Sequence, residues 1–345
     1  MFSKEIALFF AQKYTSEIIS AELLGVSHNT VYKINCDNPF ILRITSVNHR
    51  SKDEIIGEID FITFLSNNGV NVAIPIPALS NDMVTEHDFE NGIAFAVAFT
   101  IADGMQWEEQ ERVDRDYIEY IGRELGRIHK CSQNYIINNG NPRRQYDENQ
   151  HLVKAYDIFE NYNSDLSKAY KQFMDQLPQV PKTKENYGLT HGDFMFSNYT
   201  LAEDKKVTVY DFDECEYSWF ISDIATFLYF HLISAEPSKT AEKIEGAEEV
   251  IVNFMLGYLT ENNLPLEELK QLDIFFKLRE YMLLSSVLEH DKSFGMWGEL
   301  LIPVALNRLI TNRLFVDIDV NLIIKRIEGK LSNLSEYENS ILFGM

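Results

Sequence analysis

The sequence predicts an α+β protein of two lobes, a small β-rich lobe with one helix followed by a larger, mainly helical lobe. Three observations predict it. Up to about residue 102, short apolar runs are punctuated by turn residues, the mark of strands. From Trp107 onward apolar residues recur at helical spacing, as at Ile118, Ile121, Leu125 and Ile128 in "RDYIEYIGRELGRIHK". The chain has 345 residues and is 45% apolar, enough for two substantial cores.

The elements follow in order. "MFSKEIALFFAQKY" carries Lys4 and Glu5, lacks the small-residue cleavage site of a signal peptide, and reads as an amphipathic helix. "ISAELLGVSHNTVYKINCDNPFILRIT" reads as strands with turns at Gly25–Asn29 and Asp37–Pro39. "SKDEIIGEIDFITFLSNNG" is a helix, capped by Ser51 or Asp53 and followed by Gly69, with Ile55, Ile59, Ile62 and Leu65 on its apolar face. "VNVAIPIPALS", broken by Pro75 and Pro77, and "GIAFAVAFTIADG" are further strands. These make 1–102 the first lobe, with a short connection near 100–106 leading into 103–345. In the second lobe a polar loop, "NNGNPRRQYDENQ", precedes helices near 150–162 and 164–176 and the linker "LPQVPKTKENYG". "YGLTHGD" is strand-like, and "NYTLAEDKKVTVYDFD" is a hairpin turning at Glu203–Lys205. Helices are expected at roughly 221–235, 240–261, 266–290, 297–312 and 320–334. A cleft between two lobes is where a ligand is expected to bind.

Composition narrows the function. Lys plus Arg is 31 and Asp plus Glu is 53, a net charge of −22. A nucleic-acid partner needs a basic footprint, so the charge argues against nucleic acid as a main partner and favours a neutral or cationic substrate. The cysteines Cys36, Cys131 and Cys215 form no CxxC pair, which fits a reducing compartment and argues against a zinc site. The longest apolar run, "IAFAVAFTIA", is half the length a membrane span needs. The expected location is the cytoplasm, without a membrane partner, and the oligomeric state is open.

The stretch "LTHGDFMFSNYTLAEDKKVTVYDFDECEY", Leu189 to Tyr217, concentrates the chemistry. Asp193 follows a strand at a turn, where a carboxylate can accept or orient a hydroxyl proton. Asn198 offers an amide oxygen to a hard cation, and Asp211, at the end of "VTVY", offers a carboxylate to Mg²⁺. The hairpin between them returns the chain to its start. HGD or DFD alone is an ordinary turn or cap pattern. HGDxxxxN, a short hairpin and an apolar strand ending in DFD form a more specific combination.

"HGDFMFSN" followed by "VTVYDFDECEYSWFISDIATFLYF" resembles the catalytic core of the aminoglycoside phosphotransferase family, which includes choline and ethanolamine kinases and is related to the protein kinases. The resemblance implies a two-lobed protein-kinase-like fold and phosphoryl transfer from ATP to a small-molecule hydroxyl. It implies Asp193 as catalytic base and Asn198 and Asp211 as Mg²⁺ ligands. Asp213 either assists metal or substrate or is a turn residue. Asp223 is expected to hydrogen-bond the catalytic-loop backbone or to cap its helix. His191 is expected to be a structural hydrogen-bonder.

For the first lobe the resemblance implies a nucleotide site. The turn at Gly25–Asn29 would cover the phosphates, with Ser27 and Asn29 presenting polar groups. In "FILRIT" alternation puts Ile41 and Arg43 on one face, Ile41 against adenine and Arg43 toward the phosphates, where protein kinases carry Lys. Glu58 lies near the apolar face of its helix and would pair with Arg43, with Glu54 as the rival partner. Phe99 would back the adenine pocket, and the backbone of Thr100 to Ala102 would bind the base. On the acceptor side, Glu216, Tyr217 and Trp219, with Glu214, Glu280, Tyr281 and Glu289, are candidates for an acidic and aromatic pocket suited to an ammonium-bearing alcohol. Two alternatives stand beside a small-molecule kinase: a Ser/Thr protein kinase, and a silent nucleotide-binding module. Only "DECEYSWFIS" separates Asp211 from Asp223, which leaves no clear activation loop.

Overall fold

The computed structural model describes residues 1–90, 92–106, 115–137, 140, 143–235, 246–290 and 295–343. It separates into two compact units. One comprises Met1–Glu109, Asn134–Arg143 and Asn198–Cys215, and the other Gln110–Gln133, Arg144–Ser197 and Glu216–Met345. The hairpin carrying Asn198 and Asp211 therefore groups with the N-terminal strands.

In the first unit α1 (Lys4–Ala11) leads into an antiparallel sheet of β1 (Ser20–Val26), β2 (Asn29–Asn35), β3 (Phe40–Ser46), β6 (Gly92–Phe99) and β4 (Pro75–Ile76), with β5 (Thr85–Phe89) also on β6. The sheet sorts its side chains by alternation. Leu42, Ile44, Ala94, Ala96 and Ala98 join Ala7, Phe10 and Ala11 of α1 in one buried cluster. Small alanines on β6 leave room for the helix. Arg43 shares the opposite face with Phe99, its guanidinium 5.2 Å from the ring centre. Helix α2 (Lys52–Asn67) buries Ile55, Glu58, Ile59 and Ile62. Ser51 caps it, and Glu54 completes a reciprocal capping box. Pro75 and Pro77 hold β4 to two residues, because proline has no N–H for the ladder. Strand β5 escapes the sequence pattern because His87 and Asp88 are exposed on an edge.

The short hairpin of β8 (Tyr199–Leu201) and β9 (Val207–Val209) pairs Tyr199 with Val209, and Lys205 in its turn adopts φ 67°. Ala73 donates its N–H to Val209 O at 2.9 Å, and Met105 and Leu201 exchange two backbone hydrogen bonds, both 2.9 Å. These ties hold the hairpin to the first unit.

The second unit is built on α3 (Arg115–Ser132), α4 (Gln150–Val153), α5 (Ala155–Tyr162), α6 (Ser164–Gln176), α7 (Phe220–Ala235), α8 (Ala247–Leu259), α9 (Leu272–His290), α10 (Gly295–Ile310) and α11 (Val320–Phe343). Strand β7 (Tyr187–Thr190) pairs with β10 (Glu216–Trp219), a strand whose polar and aromatic text gave no strand pattern. The helix expected over 240–261 is described from Ala247, residues 240–245 lying outside the described set, as does part of the polar loop around 138–142. The helix expected from 266 starts at Leu272, after 3-10 turns over Leu266–Gln271. The last helix runs past 334 to Phe343. Among the described residues no helix is long and apolar enough to cross a membrane.

Helices α3 and α8 touch backbone to backbone through glycine. A Cβ at Gly257 would collide with the Glu119 carbonyl, and one at Gly122 with the Phe254 carbonyl. This crossing places His129 of α3 beside Tyr258 of α8, at 2.9 Å. Gly257→Ala should therefore cost about 1–3 kcal/mol through overpacking, read as a lower urea midpoint, whereas Gly329→Ala, with open space around it, should not.

Candidate active site

The catalytic-loop candidate starts where β7 ends. Gly192 takes φ +81°, a conformation glycine adopts without steric penalty. The loop is tied down from inside the second unit by Asp223, on the first turn of α7 and 1% exposed. Its Oδ2 accepts the His191 N–H at 2.7 Å, and its Oδ1 accepts the Gly192 N–H at 2.9 Å. His129 Nε2 adds a third contact to the carboxylate, at Oδ2 and 3.1 Å. The surrounding network fixes the histidine tautomer. Asn262 donates to Tyr258 Oη at 2.8 Å, so the Tyr258 hydroxyl points at His129 Nδ1 and Nε2 carries the proton toward Asp223. His191 is fully buried, and its Nδ1 accepts the Asp193 N–H at 3.2 Å. It supports the loop, which keeps Asp193 at the surface, its side chain 27% exposed. Arg279 of α9 forms an ion pair with Asp193 Oδ1.

Burial pushes both partners of the His129–Asp223 pair toward neutrality. It lowers His129, which stays neutral. For Asp223 burial acts upward, but the His129 hydrogen bond, the two histidines and the His191 N–H outweigh it and hold the carboxyl below the usual range.

The other cluster lies in the first unit. Arg43, 4% exposed on β3, grips Glu58 of α2 in a bidentate pair, Nη1 to Oε1 at 2.7 Å and Nη2 to Oε2 at 2.6 Å. Burial opposes the guanidinium charge, and Glu58 overcomes it. The rival, Glu54, is occupied by Ser51. Arg43 Nη1 also stands 3.7 Å from Asp211 Oδ1. Asp211 adopts φ 63°, the left-handed region that aspartate enters more readily than most residues, and its side chain is 49% exposed. Tyr210 donates its N–H to Asn198 O at 3.0 Å, so the hairpin brings the two ends of the segment side by side. An amide oxygen and a carboxylate are hard donors of the kind Mg²⁺ takes.

Several candidates have other engagements. Asn29 Oδ1 is buried and accepts from Thr45 Oγ1 at 2.7 Å, so this amide shapes the turn, whereas Gly25 and Ser27 are exposed. The Thr100 N–H goes to Ile74 O at 2.9 Å, so of this stretch it is the carbonyls and the following N–H groups that the expectation of binding the base concerns. Ala102 lies just beyond, half-buried, and Ile41 is half-buried beside Phe99 in the register. The Asp213 carboxylate meets His49 Nε2 at 2.7 Å and Arg50 Nε at 3.3 Å, and Arg50 also reaches Glu214 at 2.6 Å. His49, Asp213 and Glu214 thus lie close together, and the Arg50 guanidinium pairs with both carboxylates. Glu216 is buried against Arg144 and Asn149, both at 2.8 Å. Trp219 is fully buried and gives its indole N–H to Pro181 O at 2.9 Å. Tyr217 is half-buried, its backbone paired to Arg144 and Tyr187. Glu280 pairs with Arg308, and Glu289 with Lys154 at 2.8 Å. The carboxylates expected to greet an ammonium are matched to the protein's own cations.

Sequence reasoning missed Arg279, His129, His49, Arg50 and Arg143, whose guanidinium braces the backbone at Glu54, Asp213 and Cys215. Only His129 left a signal, a polar residue in line with Leu125 and Ile128 on a buried face.

A family model described as the phosphotransferase enzyme family matches residues 21–254. Amicoumacin kinase of Bacillus subtilis (strain 168) is 30% identical over 295 residues, 84% of this chain and 85% of that protein. An amicoumacin kinase solved in complex with AMP-PNP, Ca²⁺ and Ami superposes with TM-score 0.85 at 23% identity, covering 93% of this chain and 97% of the other. A microcompartment-associated aminopropanol kinase gives 0.72 at 22%, with 90% and 98% covered. A choline kinase from Streptococcus pneumoniae gives 0.56 at 15%, with 89% and 99% covered. The fold is protein-kinase-like.

The His129–Asp223 pair generates a pH prediction. An unfolded histidine titrates near 6.5, so as pH falls below about 6.5 the unfolded chain binds a proton at His129 that the folded chain refuses, and stability drops. Below about 4 the unfolded Asp223 protonates before the folded one, and stability drops further. Urea midpoints at pH 8, 5.5 and 3.5 should decline stepwise, and His129→Gln should make the first step smaller, the remainder coming from His231, which burial lowers to about 4.

Proposed function

Because the chain belongs to the phosphotransferase enzyme family, we propose that it moves the γ-phosphoryl group of ATP to a hydroxyl of an amicoumacin-like or amino-alcohol acceptor, with Asp193 as the acceptor-facing carboxylate. One observation carries the reading. Within one unit a locked cation, Arg43, stands 3.7 Å from Asp211, whose carboxylate is held half-exposed by a left-handed backbone. Positive φ at a non-glycine residue concentrates at functional sites.

Asn198 and Asp211 would hold Mg²⁺, which when bound neutralises phosphate charge. Arg43, kept in place by Glu58, supplies a fixed positive group for the phosphates. The exposed turn at Gly25 and Ser27 offers backbone N–H groups. Phe99 and Ile41 line the adenine side, and the backbone around Ala102 offers the base its hydrogen bonds. Asp193 orients the acceptor hydroxyl; its oxygen bonds to the γ-phosphorus, the bond to ADP breaks, and the hydroxyl proton passes to the carboxylate. His191 and Asp223 keep that carboxylate on a rigid loop.

An assay of ADP release with amicoumacin, 1-amino-2-propanol, choline and spectinomycin, beside a protein substrate, tests the proposal. Turnover is expected with at least one small hydroxyl compound, and Asp193→Asn should reduce it by about 10²–10⁴-fold while nucleotide affinity stays within a few-fold. Label on protein alone, or nucleotide binding without any turnover, contradicts it.

A further inference from the structure

Asp193 does not stand alone on its loop: α9 brings Arg279 onto its Oδ1. The guanidinium is itself constrained. Only 11% of the Arg279 side chain is exposed, and its plane centre lies 4.9 Å from the ring centre of Phe230 on α7. Its Nε is enclosed without a protein partner, so its hydrogen bonding rests on the Nη end. The neighbouring Glu280 offers no competing anion, because Arg308 holds it. The same helix α7 thus fixes the loop backbone through Asp223 and supports the cation that holds the loop's carboxylate.

We propose that Arg279 is a positioning residue for phosphoryl transfer: it engages one oxygen of Asp193 and so aims the other at the acceptor hydroxyl. The inference rests on the reading of Asp193 given above. A carboxylate on a short side chain rotates about χ2 with a low barrier. Reactions that depend on alignment lose about 10²-fold for misplacements of an ångström. A planar guanidinium held over an aromatic ring supplies an aim that a flexible ammonium does not.

The probe needs no identified acceptor. Water serves as one, so the readout is the slow hydrolysis of ATP by the full chain, together with ATP affinity and melting temperature. Arg279→Gln and Arg279→Ala should lower the hydrolysis rate about 10–100-fold, with ATP affinity within twofold, and Arg279→Lys should fall between them and wild type. Millimolar guanidinium ion, well below denaturing concentration, should restore at least threefold of the Arg279→Ala rate and leave wild type unchanged. Wild-type rates in Arg279→Gln and Arg279→Ala overturn the inference, as does a loss that follows melting temperature with no guanidinium rescue. Asp193→Asn in the same assay separates the two readings. If that variant hydrolyses ATP normally, the role of Asp193 fails; if it is slow while Arg279→Gln is normal, only the role of Arg279 fails.

Discussion

A charged carboxylate can be buried only if donors surround it. Asp223 meets that demand with two backbone N–H groups and the His129 imidazole. The backbone donors belong to His191 and Gly192, so satisfying one buried charge fixes the conformation of the loop that ends in Asp193. The constraint reaches back through His129 and Tyr258 to Asn262. Close approach of α3 to α8 across glycines is what lets that chain of hydrogen bonds form.

The same logic governs the first unit. Glu58 is fully buried and Arg43 nearly so, and each is tolerable only because the other is there. The pair joins β3 to α2 and leaves one edge of the guanidinium facing Asp211. Arg43 and Arg279 differ in what they do with this arrangement. Arg43 is neutralised by a structural glutamate and keeps Nη1 3.7 Å from Asp211, while Arg279 is committed to the Asp193 carboxylate. The acidic surplus of the chain, −22, does not gather unpaired at the residues named for catalysis or acceptor binding, since each of those carboxylates has a cation or donor beside it, Asp211 included.

The strand-rich start and the helical remainder were legible from periodicity, because helices and strands bury their faces at fixed spacings; that the 198–215 hairpin groups with the N-terminal strands was not, since backbone ties such as Ala73 to Val209 carry no sequence period. The hairpin between HGDxxxxN and DFD, which returns Tyr210 to Asn198, was legible as well. The Glu58 partnership was legible as a problem, a carboxylate near an apolar face, and the structure supplied its solution. Arg279 was not legible, being 86 residues from Asp193, on a helix whose register alone decides where it points. Trp219 and Glu216 read as pocket wall because an aromatic and an acid follow the DFD segment; each is buried on its own face of β10, Glu216 against Arg144 and Asn149 and Trp219 against Pro181. Backbone commitments such as Thr100 to Ile74 have no side-chain signature at all.

The account depends most on a divalent ion being shared by Asn198 and Asp211. Equilibrium binding of ATP with and without Mg²⁺, in wild type, Asn198→Ala and Asp211→Asn, tests this directly, since asparagine also tolerates the left-handed backbone at 211. The predicted result is that Mg²⁺ tightens ATP binding to wild type, that both variants lose most of that gain, and that all three bind metal-free ATP alike. An undiminished Mg²⁺ gain in the two variants would contradict the account.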